Sequence, residues 1–352
     1  MEYRQDCLLK SLLNKEFLYH TLDMNYHKNK IKTMKWVLII GFLLMVLKFL
    51  AFYLTHSNAI LTDAIESIVN VLAGSFALYS LYFASKPKDA DHPYGHGKIE
   101  FFSTGVEGGM ITLAGIVMVL KGISAFFYPN NIDNLTIGIL ISFFSGLVNF
   151  ILAKILIKKG NLLNSSALVA DGKHLLTDTW SSIGLIVGLI LIYFTNIFFI
   201  DYIITIGLGL FIIYTGFQLL KESVFNLLDK ADYIKIKHLI SILNSNRKPS
   251  WIDIHNLRVV KYGSVVHVDC HMTLPWYYTL EEAHREVDAL DQLAKVEFDN
   301  EIEFFIHSDP CLPLSCKICE INSCKERNFE FVKKLEWKME NVLPDSKHSF
   351  SE

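Results

Sequence analysis

Long apolar runs separated by short polar segments dominate the first two thirds of the chain. Two of them, Trp36 to Leu54 and Ile183 to Ile200, come close to the roughly 20 residues that a helix needs to cross a bilayer. Several runs exceed that length, so we expect those helices to tilt or to protrude into water. The pattern predicts a membrane domain of six spanning helices. Their predicted ranges are Met34–Leu54, Ala59–Ala84, Phe101–Phe127, Leu135–Ile157, Ser165–Phe194 and Ile197–Lys221.

The pattern changes after Asn226, where short amphipathic segments replace the long apolar runs. Helical and strand-like periodicities alternate here, and the Tyr262-Gly263 pair marks a turn between two strands. The order α-β-β-α-β within about 80 residues predicts a small soluble α+β domain of ferredoxin-like type. The predicted elements are a helix over Tyr233–Leu243, strands over Trp251–Lys261 and Val265–Leu274, a helix over Thr279–Leu293 and a strand over Ile302–Ser308.

The two patterns divide the chain into four parts. We predict a cytoplasmic N-terminal arm over residues 1–33, a transmembrane domain over 34–226, a cytoplasmic ferredoxin-like domain over 227–310 and a cysteine-containing charged tail over 311–352. Composition supports a membrane protein, because 51% of the 352 residues are hydrophobic and the mean hydropathy is +0.32, too apolar for a typical soluble enzyme. The net charge of −3 is small, and no nucleic-acid partner is predicted.

Lysines in the loops predict the orientation of the helices in the membrane. They cluster before the first helix, between the second and third, and after the fourth, whereas the segments around Asn130 and Asn196 contain no Lys or Arg. Cytoplasmic loops carry an excess of positive charge, so both termini are expected in the cytoplasm. The clustered lysines are Lys28, Lys30, Lys32, Lys35, Lys86, Lys88, Lys98, Lys158 and Lys159.

Two predicted membrane helices carry polar residues at a spacing of four. The second contains Glu66 and Asn70, and the fifth contains His174 and Asp178. This spacing places each pair on one helical face. An ionisable group at mid-bilayer costs roughly 2.5–3.5 kcal/mol on insertion scales, so it needs a partner or a task. Such groups can simply join one helix to another by hydrogen bonds. If the two faces meet, however, they offer the oxygen and nitrogen ligands of a four-coordinate metal site.

Two further groups of histidines and carboxylates lie outside the predicted helices of the membrane. In the loop after the second helix, two histidines four residues apart follow a carboxylate. The small α+β domain is rich in imidazoles, and its last strand places a histidine and an aspartate two residues apart on one face. Scattered surface histidines are the alternative to metal binding, and His267 fits that alternative. The candidate ligands are Asp89, His92 and His96 in the loop, and His255, His271, His284, His307 and Asp309 in the domain.

Four cysteines in the tail are spaced like metal ligands. The central pair has the C-x2-C spacing that brings two thiolates onto one ion, and the outer pair could complete a four-thiolate site. An exposed redox-sensitive tail is the alternative, and spacing alone does not decide between the two. The four residues are Cys311, Cys316, Cys319 and Cys324.

The sequence resembles the cation diffusion facilitators, a family of metal-ion/proton antiporters. The resemblance covers nearly all of Trp36 to Pro310 and rests on three motifs: His174-x3-Asp178, the stretch His92-Pro-Tyr-Gly-His96-Gly-Lys98-x-Glu100, and Phe305-Ile-His307-Ser-Asp309-Pro310. It implies six helices followed by a ferredoxin-like cytoplasmic domain, usually in a homodimer. It also implies a transport site at Glu66, Asn70, His174 and Asp178, a looser site at Asp89, His92 and His96, and a cytoplasmic binuclear site at His255, His271, His284, His307 and Asp309.

One departure from the family's pattern bears on the transported metal. Zinc-transporting members usually have two His or Asp ligands in the second helix, where this chain has Glu66 and Asn70. The neutral amide removes one negative charge, which weakens the attraction for any dication. It also leaves an oxygen-rich site with a single nitrogen ligand, which tolerates Mn2+ or Fe2+ as well as Zn2+.

The sequence therefore predicts a transporter that exports a divalent transition metal, with Zn2+ as the first choice and Fe2+, Mn2+ and Co2+ as the others. We expect antiport with protons and a location in the plasma (inner) membrane. A membrane metal sensor or scaffold that binds metal without moving it is the alternative. No motif provides the activated water and general base that a membrane metalloenzyme would need, so we do not predict an enzyme.

Overall fold

The computed structural model describes residues 28–50, 52–53, 58–127, 135–195, 199–263, 265–298 and 302–348. The chain divides into two compact units, Met1–Leu228 and Asp229–Glu352. The first is a helical unit and the second combines helices with a small sheet, as the two patterns of the sequence predicted. Each unit is described separately below.

The described part of the first unit contains six long helices. Segments of α1, α2, α3, α4 and α6 are long and apolar enough to cross a membrane, by length and composition. The prediction of a helical membrane domain is confirmed, five of the six predicted spans meet this criterion among the described residues, and the helix ends lie within six residues of the predicted positions. The ranges are α1 Lys28–Leu50, α2 Asn58–Ala84, α3 Ile99–Phe127, α4 Leu135–Leu162, α5 Ser166–Thr195 and α6 Phe199–Leu227.

Small residues allow α3 and α6 to pack with their backbones close together. A Cβ atom on Gly108 would lie 2.9 Å from the carbonyl oxygen of Gly216, and one on Gly115 would lie 2.9 Å from the carbonyl oxygen of Gly209. Any side chain at these positions would push the two helices apart. Small residues at helix contacts are the usual means of close packing in membranes, where lipid is as apolar as leucine.

The fifth helix is oriented by its contact with α4. A Cβ atom on Gly172 would lie 3.0 Å from the backbone nitrogen of Ile157, so the two helices pack closely at this point. With α5 fixed in this way, His174 and Asp178 are buried, while Trp180 is largely exposed on the outer surface. The polar side of α5 therefore faces the interior of the helical unit, which is the arrangement expected of a membrane protein with an internal site.

The second unit contains a three-stranded sheet and two main helices. Strand β2 lies in the centre and pairs antiparallel with β1 and parallel with β3. Apolar residues of α7 and α8 pack onto the sheet to form its core. The predicted α-β-β-α-β order is confirmed. The elements are α7 Tyr233–Ser245, β1 Asp253–Tyr262, β2 Val265–Leu274, α8 Leu280–Glu297 and β3 Ile302–Pro310.

The tail after β3 belongs to this second unit. It begins with a 3-10 turn over Pro313–Lys317 and contains one short helix, α9 (Met339–Val342). Trp337 is buried in the core of the unit, and the guanidinium of Arg247 lies 3.9 Å from the centre of its ring. Asn244 fixes the backbone there, because its Nδ2 donates to the Trp337 carbonyl at 2.7 Å. The tail is therefore packed onto the α+β core.

Candidate metal centres

The polar faces of α2 and α5 meet in the interior of the helical unit. The Nδ2 atom of Asn70 donates a hydrogen bond to Oδ2 of Asp178 at 2.6 Å. The Nε2 atom of His174 lies 3.6 Å from Oδ1 of the same aspartate. The structure thus brings together three of the four residues predicted for this site. The side chain of the fourth, Glu66, lies outside the described residues, although its backbone belongs to α2.

A residue of α3 that was not among the predicted ligands lies beside this cluster. Glu107 is only 2% exposed, and its Oε1 lies 3.5 Å from Nδ1 of His174. Neither carboxylate oxygen of Glu107 has a hydrogen-bond partner among the described residues, and the same holds for Oδ1 of Asn70. Buried polar atoms are nearly always paired, so three unpaired acceptors on two neighbouring side chains are unusual. They are the atoms that a bound cation would need.

The surroundings of His174 are strongly acidic. Its imidazole interacts electrostatically with Asp178, with Glu107 and with Asp171, which is also buried on α5. Lys173, the neighbouring residue, does not add positive charge to this interior. Its Nζ lies 2.9 Å from Oε2 of Glu222 on α6, and both side chains are about half exposed. A dication in the cluster would meet negative charge on three sides.

The loop between α2 and α3 forms the second group. The Oδ1 atom of Asp89 lies 3.0 Å from Nδ1 of His92, and Oδ2 lies 3.3 Å from Nε2 of His96. One ligand atom from each of the three residues falls within 4.8 Å of the others. The hydrogen bond from His92 lowers the pKa of the Asp89 carboxyl below its ordinary value, which favours the ionised form that a metal requires.

The chain bends back at Gly95, where φ is +88°, so that the two histidines face each other. The ring centroids of His92 and His96 are 4.4 Å apart. His96 is buried against the edge of Phe83, whereas Asp89 and His92 are about half exposed. The group is therefore open to solvent on one side, which suits a site that exchanges its ion readily.

The third group lies on the sheet of the second unit. His255 and His271 are paired across β1 and β2, and Asp309 follows on β3. Oδ2 of Asp309 lies 3.3 Å from Nε2 of His255 and 3.4 Å from Nδ1 of His271. Ligand atoms of these three residues lie within 4.8 Å of one another. Three strands thus contribute one ligand atom each, as expected for a metal site built on a rigid scaffold.

The other two histidines predicted for this group differ in position. His307 lies next to the cluster, because its Nε2 is 3.5 Å from Oδ1 of Asp309 and its ring is 4.8 Å from that of His271. His284 instead lies on α8, exposed, with its Nε2 3.6 Å from Oδ2 of Asp288. Within a single chain, the structure does not place His284 beside the other four.

A bulge in β1 and the end of the tail add residues that spacing did not indicate. The register of β1 and β2 shifts at the bulge, where Asn256 has a φ of +52°. Asp253 is buried beside His255, and its Oδ1 lies 2.8 Å from Nδ1 of His348. Burial acts to raise the pKa of Asp253, but hydrogen bonds with His255 and His348 hold that pKa below its ordinary value. Asp253 can therefore orient His255 as a ligand, in the way that carboxylates commonly support metal-bound imidazoles.

Lys347 places a positive charge at the same cluster. Its Nζ lies 3.5 Å from Oδ2 of Asp309 and donates to the Pro310 carbonyl at 3.1 Å. A bound dication would be repelled by this ammonium group, or would have to displace it. We call the group of His255, His271 and Asp309 the sheet cluster. The ammonium group of Lys347 therefore competes with a metal ion for the carboxylate of Asp309.

Replacing Lys347 by methionine is expected to tighten Zn2+ binding at the sheet cluster by about tenfold, equivalent to ~1.4 kcal/mol. Methionine keeps the apolar stem and removes the charge. Zn2+ titration of the purified full chain would measure the change. Lys338→Met is the matched control, since that lysine is exposed and pairs with Glu336. Equal affinity in Lys347→Met and the parent would show that Lys347 does not compete.

Comparison with known proteins supports the resemblance of the sequence. The model of the cation efflux transmembrane domain matches residues 34–228, and that of the cation efflux cytoplasmic domain matches residues 230–311. An uncharacterised transporter of Synechocystis is 33% identical over 247 residues, covering 70% of this chain and 80% of that protein.

Two curated relatives are named for cation efflux. The cation-efflux pump FieF of Shewanella oneidensis is 26% identical over 269 residues, covering 76% of this chain and 89% of the pump. The pump of the same name from Yersinia pestis is 25% identical over 273 residues, with the same coverage. Both matched domains and their order agree with the two units of the structure. The chain therefore belongs to the cation efflux family of membrane transporters, the cation diffusion facilitators.

Proposed function

We propose that this transporter exports a divalent transition metal from the cytoplasm in exchange for protons, and that the ion binds between α2, α3 and α5. The proposed ligands in the membrane are Asn70, Glu107, His174 and Asp178, together with Glu66 from the sequence pattern. Glu107 is the addition that the geometry suggests. The other four are those that the family resemblance implies.

The observation that carries this proposal is the group of buried acceptors around His174. Glu107 and Asn70 together present three buried oxygen atoms that accept no hydrogen bond among the described residues, and Nδ1 of His174 lies 3.5 Å from one of them, Oε1 of Glu107. Leaving such atoms unpaired costs about 1–3 kcal/mol each, and more for a charged group. A purely structural role would be expected to pair them. A transported cation would satisfy all of them while it is bound.

Proton exchange follows from the chemistry of these ligands. Metal binding requires a neutral His174 and ionised carboxylates, so an arriving ion displaces protons and arriving protons displace the ion. Histidine is suited to this task because its charge changes near physiological pH. If the helical unit opens alternately to the two sides, protons moving inward drive metal outward.

The ligand types limit the choice of metal without fixing it. The proposed site offers one imidazole nitrogen, carboxylate oxygens and one amide oxygen. Thiolates would favour soft ions, but none is present among these residues, and a mixed nitrogen and oxygen site accepts Zn2+, Fe2+, Mn2+ and Co2+. Glu107 returns the negative charge that Asn70 lacks. We propose Zn2+ as the first choice and the other three as competitors.

The sheet cluster is proposed to sense cytoplasmic metal. His255, His271, His307 and Asp309 would hold the ion, and His284 of a second copy would complete the site in a homodimer. Ligands shared between two copies bias the transporter only if they bind one state better than the other.

We place both termini in the cytoplasm and the chain in the plasma (inner) membrane, on the basis of the loop lysines. The loop group of Asp89, His92 and His96 is proposed as a second, weaker site.

Vesicles containing the purified protein are expected to move Zn2+ only when a pH gradient is imposed. The protons must flow against the direction of the metal, because each binding event exchanges one for the other. A Zn2+-sensitive dye inside the vesicles would measure flux, and a pH-sensitive dye in parallel vesicles would measure proton movement. Collapse of the gradient with a protonophore should remove at least about nine tenths of the flux.

Two outcomes would contradict this proposal in different ways. Zn2+ flux that is unchanged when the gradient is collapsed would exclude proton exchange. Zn2+ binding without any flux, under either direction of the gradient, would favour a membrane metal sensor. Competition by Fe2+, Mn2+ and Co2+ in the same vesicles would then rank the metals.

A further inference from the structure

The four cysteines of the tail surround one cavity at the edge of the α+β core. Cys311 directly follows β3, Cys316 lies in the 3-10 turn, and Cys319 and Cys324 follow it. All four line the cavity, and all are free thiols. Cys319 packs with Ile252 and Ile318 in a small apolar cluster, and Cys311 lies against that cluster. The cysteines are therefore folded into the domain, whereas an exposed redox-sensitive tail would leave them in solvent.

The thiols are also close enough to influence one another. Cys311 interacts electrostatically with Cys316 and Cys324, and Cys319 interacts with Cys311 and Cys324. Four residues separated by up to thirteen positions along the chain thus line the same cavity. Convergence of this kind has no packing advantage over apolar residues, because thiols are weak hydrogen-bonding groups and small hydrophobes.

Backbone N–H groups are directed at three of the sulfur atoms. Trp276 N–H donates to Sγ of Cys311 at 3.4 Å, and Asn328 N–H donates to Sγ of Cys316 at 3.5 Å. The backbone of Ile321 makes the corresponding hydrogen bond to Cys319. Outer hydrogen bonds of this kind orient the ligands of metal sites.

Arg327 holds the loop that carries the central pair of cysteines. Its guanidinium donates to the carbonyl oxygens of Cys316 and Cys319, both at 2.9 Å, and of Ile321 at 3.0 Å. These bonds curl the chain around the arginine and turn the two side chains of the C-x2-C pair toward the cavity. The result is a loop shaped in advance for two thiolates on one ion.

We propose that Cys311, Cys316, Cys319 and Cys324 bind one structural Zn2+ ion with four thiolates. Four cysteines with a C-x2-C core are a common ligand set for tetrahedral zinc, and such a site has no open position for exchange. Each thiol loses its proton to solvent when it becomes a ligand. Three of the four cysteines lie beyond the matched cytoplasmic domain, of which Cys311 is the last residue, and the site is separate from the transport function.

The proposed zinc site anchors the start of the tail to the α+β core. Farther along, Trp337 fixes the middle of the tail, and Asn256 N–H donates to the Pro344 carbonyl at 2.8 Å. The end of the tail reaches the sheet cluster through Lys347 and His348. Zinc bound by the cysteines therefore restricts the motion of the tail, and the same tail places the ammonium group of Lys347 beside the sheet cluster.

Cobalt substitution in the purified full chain tests the proposal directly. Co2+ bound by four thiolates gives intense sulfur-to-metal charge-transfer bands, which the oxygen and nitrogen ligands of the other three groups do not give. We expect these bands in the parent protein, their bleaching by one equivalent of Zn2+ per chain, and their loss in the double variant Cys316→Ser/Cys319→Ser. Cys270→Ala is the matched control, because Cys270 is buried in the sheet and should leave the bands unchanged.

The parent protein alone can overturn the proposal, whatever the folding of the variants. Absence of charge-transfer bands in the freshly reduced parent would exclude the four-thiolate site. So would intact bands in the double variant, or mass spectrometry of the anaerobically purified chain that finds the four cysteines in disulfides. Limited proteolysis gives a second readout, since removal of zinc from the parent should speed cleavage between residues 311 and 337 about tenfold.

Discussion

The variant Asp178→Asn is expected to lower metal flux at least about 100-fold, equivalent to ~2.8 kcal/mol of lost stabilisation of the bound ion. The amide keeps the shape of the side chain and its contact with Asn70, but it removes one of the charges that attract a dication. Water cannot take the place of this charge in a buried site, so most of its electrostatic stabilisation of the bound ion is lost. His174→Ala should have a similar effect, because it removes the imidazole ligand.

A charge pair between α5 and α6 provides the control. Lys173 and Glu222 lie about half exposed and bind each other outside the cluster. Variants Lys173→Met and Glu222→Gln should therefore transport Zn2+ within about threefold of the parent, as exposed ion pairs contribute little. Zn2+ flux into vesicles at a fixed pH gradient is measured for each of the four variants and compared with that of the parent. If Asp178→Asn transports as fast as these controls, the ion does not bind at α5.

The spacing of residues within one segment is enough to predict some parts of this structure. The pair His174 and Asp178 was predicted because residues four apart share a helical face, and both are indeed buried together. The order of strands and helices after Asn226 was predicted because side chains alternate along a strand and recur every three to four residues along a helix. Local patterns of this kind depend on one segment at a time.

Contacts between segments that are far apart in the sequence could not be predicted in this way. Glu107 stands in an apolar helix with small neighbours, and nothing in its own segment shows that it meets His174 on α5. A single carboxylate within a predicted membrane helix was the available signal, because such a group needs a partner. Lys347 and His348 were missed for a related reason: the folding of the tail onto the sheet is decided by Trp337 and by backbone contacts of the bulge.

The position of Glu107 changes how the exchange of a carboxylate for Asn70 is understood. From the sequence, the amide seemed to leave the transport site one negative charge short. In the structure, Asn70 donates to Asp178 with its nitrogen and presents an unpaired oxygen, while Glu107 faces the other side of His174. We therefore propose that Glu107 on α3 supplies the carboxylate that α2 lacks at Asn70.

This interpretation predicts that the roles of positions 70 and 107 are exchangeable. Glu107→Gln should lower Zn2+ flux about 100-fold, because the site then carries one carboxylate fewer beside His174. The double variant Asn70→Asp/Glu107→Gln should recover to within about tenfold of the parent, since the charge returns on α2. Asn70→Asp alone should change the flux by less than about tenfold and bind the ion more tightly. Zn2+ flux in vesicles, with dissociation constants from titration, gives the four corners of a double-mutant cycle.

The cycle separates a ligand from a residue that merely packs. If Glu107 only supported the fold, Glu107→Gln would lower the yield of folded protein, and a carboxylate at position 70 would not restore flux. Glu222→Gln serves as the control, because it makes the same substitution at an exposed position on α6. Additive effects of the two substitutions would show that Asn70 and Glu107 do not act on the same ion. Recovery of Zn2+ flux in the double variant Asn70→Asp/Glu107→Gln would mean that residues of α2, α3 and α5 bind the same dication. It would also mean that the carboxylate beside His174 can be supplied by either α2 or α3.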